Sequence, residues 1–373
     1  MSQITLTSRV ERTPRVMMIE GMFDIEANET SRTQIPLNIP DLNAKPWNIG
    51  LIYGPSGSGK STVARQIFGQ ELEQCEALAW SKTGAIVDDF PTNLSIKEIT
   101  ELLSSVGFSS PPSWLRPYSA LSNGEQFRVS LARVLAENPE LAIVDEFTSV
   151  VDRTVARVGS HAIAKTVRRR NQKFVAVSCH SDILEWLQPD WTYEPASGQF
   201  RWESLQQRPK VDLQIVRANS SAWNYFARHH YLDHSLNKSA AVYLASVEDQ
   251  PAAIACVLAF PHPNIKSARR VSRIVVTPDF QGLGLANHVL DALGGGYKAL
   301  TSPLYISTSH PALVASLNRR PTWAMAVKPS RRNRQGATSA LSKNAFGTSS
   351  GRITTSFRYC GPSRNEIVPL IRG

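Results

Sequence analysis

The feature that most constrains this chain is the string Gly54-Pro55-Ser56-Gly57-Ser58-Gly59-Lys60-Ser61-Thr62, set between an apolar run, Ile49 to Tyr53, and a segment from Val63 to Phe68 that reads as a helix. It satisfies the spacing G-x-x-x-x-G-K-[ST] in a strand-loop-helix context. Glycines at these positions let the backbone curl, so that its N–H groups and the start of the following helix surround phosphate oxygens. In such a loop Lys60 neutralises the outer phosphates and the Ser61 hydroxyl ligates Mg²⁺. A strand that feeds a helix through a tight turn also predicts an α/β fold with a largely parallel sheet.

The rest of the first half keeps this alternation. Val16 to Ile25 and Ile35 to Leu42 read as strands, Leu94 to Val106 as a helix, and Leu121 to Glu137 as an amphipathic helix with its entry loop. Leu141 to Val144 is a short apolar run suited to a buried strand, and it ends in Asp145-Glu146. Beside a phosphate loop, Asp145 is expected in the metal shell and Glu146 is expected to polarise the attacking water. Helical and strand segments continue through Val155 to Arg168, Phe174 to Ser178 and Ile183 to Leu187.

Between these two motifs lies Leu121-Ser122-Asn123-Gly124-Glu125-Gln126. Here the sequence resembles the ABC ATPases, whose signature loop has this Leu-Ser-x-Gly form ahead of the paired carboxylates. Ser149-Val150-Val151-Asp152 looks like that family's D-loop, and His180 after the strand Phe174 to Ser178 looks like its switch histidine. The resemblance covers about residues 16–200. It implies ATP as the nucleotide and a head-to-tail, ATP-dependent homodimer, in which Ser122 and Gly124 of one copy contact the γ-phosphate held by the other. One departure stands out: Asp88-Asp89 occupies the region where the family carries a glutamine.

Charge separates the two halves. Residues 201–373 hold 22 Lys and Arg against 8 Asp and Glu, whereas the first 200 residues hold 19 against 23. So strong a positive excess suits a polyanion, because clustered cations gain affinity by releasing phosphate counterions. The four cysteines are scattered and form no C-x-x-C pair, which fits buried thiols in a reducing compartment. No apolar run approaches the roughly 20 residues that cross a bilayer, and Met1 to Arg15 has no apolar leader segment, so a cytoplasmic protein without a membrane partner is expected.

In the second half, Ala222 to His230 reads as a helix and Ala241 to Val247 and Ala253 to Phe260 as neighbouring strands. Arg273 to Val276 is a strand that breaks at Pro278 and enters Gln281-Gly282-Leu283-Gly284-Leu285-Ala286 ahead of a helix, Leu285 to Leu293. A further strand, Leu304 to Ser307, a helix, Ala312 to Asn318, and a last strand, Ile353 to Tyr359, follow. This string and the elements behind it resemble the GNAT acyltransferases over about residues 212–360. In that family the loop binds the pyrophosphate of acyl-CoA through backbone N–H groups at the helix start. Val276, Gln281, Gly282, Gly284 and Ala286 carry the match, and the implied donor is acyl-CoA, acetyl-CoA first.

Acyl transfer needs a base to free the attacking amine and an acid for the leaving thiolate. The candidates are His229, His230, Tyr231 and Asp233 in one cluster, with Ser309 and His310 after the next strand. Only His230 and His234 have the i, i+4 spacing of a helical metal pair, so metal binding ranks lower. The basic stretch Arg319 to Arg334, with Trp323 inside it, offers phosphate contacts and a stacking surface. His229-His230-Tyr231-Leu232 and Phe357-Arg358-Tyr359 also resemble Mom-type phage proteins, GNAT-like enzymes that modify adenine in DNA. The combined expectation is an ABC-type ATP-binding domain over residues 1–204 and a GNAT-like acyltransferase domain over 205–373, with a basic tail at 319–334. Such a protein would bind DNA or RNA and either acylate a base or, with an inactive second domain, act as an ATP-driven clamp.

Overall fold

A computed structural model describes residues 2–9, 11–24, 30–203, 212–230, 234–261, 265, 267–331 and 353–372. The chain divides into two compact units, and the division is not a single cut near residue 204. One unit comprises residues 1–78, 137–149 and 167–207, and the other comprises 79–136, 150–166 and 208–373. The segments that carry the signature-like loop and the first part of the helix Arg153–Arg170 thus fall with the second half of the chain.

The first unit holds two sheets. Strands β1 (Ser2–Arg9) and β2 (Thr30–Leu37) form an antiparallel pair. Strands β3 (Ile49–Tyr53), β4 (Leu141–Val144), β5 (Lys173–Ser178), β6 (Trp191–Glu194) and β7 (Gln199–Trp202) form a sheet in the order β4-β5-β3-β6-β7. All its pairings are parallel except the closing β6–β7 hairpin. Apolar runs make these strands because both faces are covered: Ile49, Leu51, Ile52 and Phe174 to Val177 are buried, with Val63, Phe68 and Leu72 of the helix Lys60–Glu76.

One expectation fails here. The segment read as a strand from Val16 is instead part of the helix Pro14–Phe23, because Thr13 caps the helix start by accepting from the Val16 amide and Pro14 supplies a helical φ; Ile25 lies outside the described residues. None of that helix is buried, so no sheet neighbour imposes an extended form. The expected domain boundary at residue 204 comes directly after the β6–β7 hairpin, and residues 204–211 lie outside those described.

In the second unit, β8 (Leu213–Ala218), β9 (Ala241–Val247), β10 (Gln250–Ala259), β11 (Arg269–Val276), β12 (Leu304–Thr308), β13 (Trp323–Arg331) and β14 (Ile353–Tyr359) form one sheet, ordered β8-β9-β10-β11-β12-β14-β13. Only β11 and β12 are parallel, and they pair over three residues, Arg269 to Val271 against Leu304 to Ile306. Beyond Val271 the two strands have no paired residues, so the sheet opens toward the end of β11 that leads to Gln281. The helix Leu285–Ala299 covers one face, packing Val289, Leu290 and Leu293 into the main core.

The helix Arg153–Arg170, whose first part belongs to this unit, contributes to a further apolar cluster. Val158 is buried with Val247, Ala252, Phe280 and Leu285. Burying side chains of this size contributes roughly 1.5–3 kcal/mol each.

The described part of the basic stretch is no tail. It finishes the helix Pro311–Arg319 and continues as β13, paired to β14; residues 332–334 lie outside those described. Trp323 is buried against Tyr359 and donates its indole N–H to Asp291 at 2.7 Å, so it offers no stacking face.

Candidate functional site

In the first unit, three parallel strands bring their C-terminal ends to one edge of the sheet, the edge where open α/β sheets bind ligands. Tyr53 lies opposite Ser178, and Val144 opposite Ala176. The residues that follow, Gly54, Asp145 and His180, therefore emerge from neighbouring strand ends, with β5 between the other two.

The loop has the curl that phosphate binding needs. Gly54, Gly57 and Gly59 have positive φ, at 150°, 79° and 88°. Gly59 caps the helix Lys60–Glu76, and a β-carbon there would meet Ile35 at 2.4 Å, so both backbone and space select glycine. The amides of Ser56, Gly57, Gly59, Lys60 and Ser61 have no acceptor among the described residues, and the buried Ser58 hydroxyl has no partner either. Lys60 Nζ donates to the Pro55 carbonyl at 2.8 Å, so its ammonium already lies over the loop. Pro55 is exposed at the turn and Thr62 is half-buried behind Ser61.

The carboxylates sit on a tight turn. The Asp145 carboxylate accepts the Glu146 amide at 2.8 Å, and Glu146, at φ 51°, is exposed. Ser178 ties the strand ends together: its hydroxyl donates to the Phe147 carbonyl at 3.0 Å and accepts the His180 amide at 3.2 Å. No group of three or more His, Cys, Asp or Glu suited to a metal occurs among the described residues. A magnesium ion held by Ser61, Asp145 and phosphate oxygens fits that composition, because Mg²⁺ takes few protein ligands.

In the second unit, the Leu121–Gln126 loop is a helix start. The Ser122 hydroxyl and the Glu125 carboxylate cap each other's amides, at 3.4 and 3.0 Å, ahead of the helix Asn123–Glu137. Asp152 accepts the Val155 amide at 3.0 Å and so begins the helix Arg153–Arg170. Arg128 lies beneath the loop, 1% exposed, donating from Nη1 to the Gly124 carbonyl at 3.3 Å and standing 3.7 Å from the Asp279 carboxylate. Burial pulls its pKa below the ordinary arginine value, and Asp279, Glu125 and Asp152 oppose that pull.

The loop after β11 is a second glycine turn. Gly282 and Gly284 have φ of 93° and 83°, and Gly284 caps the helix Leu285–Ala299. The amides from Gly282 to Ala286 have no acceptor among the described residues. Val276 closes the strand, and its carbonyl accepts from the Gln281 side chain at 3.1 Å. The other end of that side chain accepts the Ser109 amide at 2.7 Å, so Gln281 braces the loop. Lys165 brings its ammonium to 3.7 Å from where a β-carbon on Gly284 would lie.

The expected transfer residues are divided. His229 is half-buried; burial and then the Arg228 charge lower its pKa, Asp279 and Glu125 oppose them, and its Nε2 accepts from Arg228 at 3.2 Å. His230 is buried edge-on to Trp223, a packing position. Tyr231 and Asp233 lie outside the described residues. His310 packs against Trp114 and donates to the Ser109 carbonyl at 3.0 Å. Sequence reading missed Arg128 and Lys165; a lone cation inside a helix carries no local signal of what it will face.

These features define a P-loop nucleotide-binding domain of the α/β class. Residues 91–149 match the family model described as ABC transporter. Among curated relatives, an aliphatic sulfonates import ATP-binding protein of Frankia alni is 28% identical over 168 residues, covering 39% of this chain and 60% of that protein. The chain spans about three fifths of the length of the curated relatives it matches. Among solved structures, a dimeric bacterial ABC transporter cassette has a TM-score of 0.36 at 19% identity, over 49% of this chain and 94% of that one. The ribosomal-protein-S18-alanine N-acetyltransferase of Escherichia coli has a TM-score of 0.30 at 16% identity, over 42% and 97%. No helix among the described residues is long and apolar enough to cross a membrane.

Proposed function

We propose that this chain is an ATP-hydrolysing modifier of nucleic acid. ATP at Gly54–Thr62 closes a head-to-tail homodimer around DNA or RNA, and the second unit transfers an acyl group from acyl-CoA to a base amine. The observation that carries this reading is the second glycine loop: open amides at the start of a long helix, at the parting of the parallel strand pair β11–β12. The excess of Lys and Arg in residues 201–373 supports a polyanionic acceptor.

For hydrolysis, Ser61 and Asp145 would hold Mg²⁺, which supplies charge neutralisation at the phosphates when bound. Lys60 takes the outer phosphates, Glu146 polarises the attacking water, and His180 stands at the neighbouring strand end. For transfer, the base amine would attack the thioester carbonyl and form the amide bond as the carbon–sulfur bond breaks; its proton would pass to a general base, and the CoA thiolate would leave and take up a proton. Neutral His229 is the base that support favours, once substrate displaces Arg228 from its Nε2.

A second reading keeps the ATPase and makes the GNAT-like unit a non-catalytic part of a nucleic-acid clamp. It is favoured by Gln281, whose side chain is engaged between Val276 and Ser109, and by the packing position of His230. The import role named for the relatives accounts less well for the chain, because the similarity covers under half of it and leaves the basic half unexplained.

The test is mass spectrometry of nucleosides from DNA and RNA incubated with the protein, ATP, Mg²⁺ and acetyl-CoA. A new adduct that is absent with Gly284→Trp supports transfer. Nucleic-acid-stimulated ATP hydrolysis with no adduct moves the assignment to the clamp.

A further inference from the structure

We infer that Arg128 is a positioning residue that couples the Leu121–Gln126 loop to the glycine loop Gln281–Ala286, so that engagement of ATP by Ser122 and Gly124 reshapes the acyl-donor loop. The inference rests on the reading that these two residues meet the ATP of a partner copy.

The geometry is that of a buried linkage with a loose end. The Arg128 guanidinium holds the Gly124 carbonyl through Nη1 at 3.3 Å. Its Nη2 stands 3.7 Å from Asp279 Oδ1, beyond hydrogen-bond length, and Nε and Nη2 have no hydrogen-bond partner among the described residues. Open donors on a buried cation are unfavourable, and an approach of Asp279 by roughly 1 Å would bring its carboxylate within hydrogen-bond length of Nη2. A planar guanidinium suits the task, because one edge can grip a carbonyl while another faces a carboxylate.

What Asp279 does is transmitted to the loop. It sits in the turn Pro278–Phe280, directly before Gln281. Phe280 and Leu285 are buried with Val158, so the turn and the helix start move with a packed body rather than as loose chain. Gly107 and Ala162 press on Gly282, whose β-carbon would meet Ala162 at 2.9 Å and the Gly107 Cα at 3.1 Å. A displacement of the Gly124 backbone on gripping ATP therefore reaches the amides of Gly282 to Ala286 through the guanidinium and these contacts.

The experiment is hydrogen–deuterium exchange of the peptide 278–290 in the full chain carrying Glu146→Gln, with and without ATP and Mg²⁺. ATP is expected to change its exchange rate by at least about fivefold. Adding Asp279→Asn, at a half-exposed position that folding tolerates, should reduce that change to less than about twofold while ATP affinity stays within about twofold. Arg128→Lys should do the same if it folds, and Asp279→Asn decides the matter if it does not. A change that survives Asp279→Asn, or none in the parent when ATP is bound, overturns the coupling; failure to bind ATP overturns both it and the ATPase reading. Acetyl-CoA titrated separately by calorimetry tests the acyl-donor assignment alone, since the exchange measurement needs no acyl-CoA.

Discussion

Gly107 and Gln281, 174 positions apart in the chain, approach so closely that a β-carbon on Gly107 would lie 2.5 Å from the Gln281 carbonyl oxygen. Gly107 also has a φ of 89°, a conformation that side chains disfavour. Gly107→Ala should therefore destabilise the second unit by about 2–4 kcal/mol, because neither backbone can yield without moving the packed turn at Phe280. Urea unfolding followed by the fluorescence of Trp114 and Trp223 checks this, and an unchanged midpoint would contradict the contact.

Lys60→Ala should weaken ATP binding by about 10- to 100-fold, the loss of one charge-assisted contact to phosphate. Among the described residues its side chain bonds only the Pro55 carbonyl, so the fold should survive. Equilibrium binding of a fluorescent ATP analogue, with thermal unfolding as the control, separates the two effects.

Glu146→Gln should leave ATP binding intact and lower turnover by about 10²- to 10⁴-fold, the usual contribution of a positioned base. The exposed side chain supports no packing, so loss of binding in this variant would point away from a role in water activation. Steady-state phosphate release, with size-exclusion chromatography in ATP, reads turnover and dimer formation together.

Burial is the leading cause that lowers the pKa of His229, His288 and His310. Below the unfolded value of about 6.5, the unfolded chain takes up protons that the folded chain refuses, so stability falls as pH drops from there toward the folded values. Above that window the three groups contribute no pH dependence. His310→Gln, which can still donate to the Ser109 carbonyl, should flatten the decline in Tm between pH 7 and pH 5; an unchanged slope would remove His310 from the account.

Much of the local geometry of the candidate nucleotide site was legible because its determinants are local. Strand, loop and helix occupy consecutive residues from Ile49 to Phe68, and the carboxylates directly follow their strand. The glycine loop at 281–286 was legible for the same reason. The helix at Pro14–Phe23 was misread as a strand because its apolar residues carry no packing partner to set their period, and the deciding signals were the short ones, Thr13 and Pro14. The bond from Ser109 to Gln281 and the ion pair of Arg128 with Asp279 join residues more than 150 positions apart, and no periodicity within either segment encodes such a meeting. Trp323 looked available because aromatic residues among cations suit stacking, yet its N–H needed a carboxylate and found Asp291.

The assignment of residues 79–136 and 150–166 to the same compact body as the C-terminal sheet bears on how such a chain could arise and be taken apart. Two genes joined end to end would leave each product able to stand alone, whereas here Val158 shares a cluster with Phe280 and Leu285. A fragment beginning at residue 208 would expose that apolar surface and aggregate. Exchanging the C-terminal half among relatives would therefore yield working hybrids only if the helices after Leu78 travelled with it. Such a compact body, built from separate stretches of chain, is divided by no single cut.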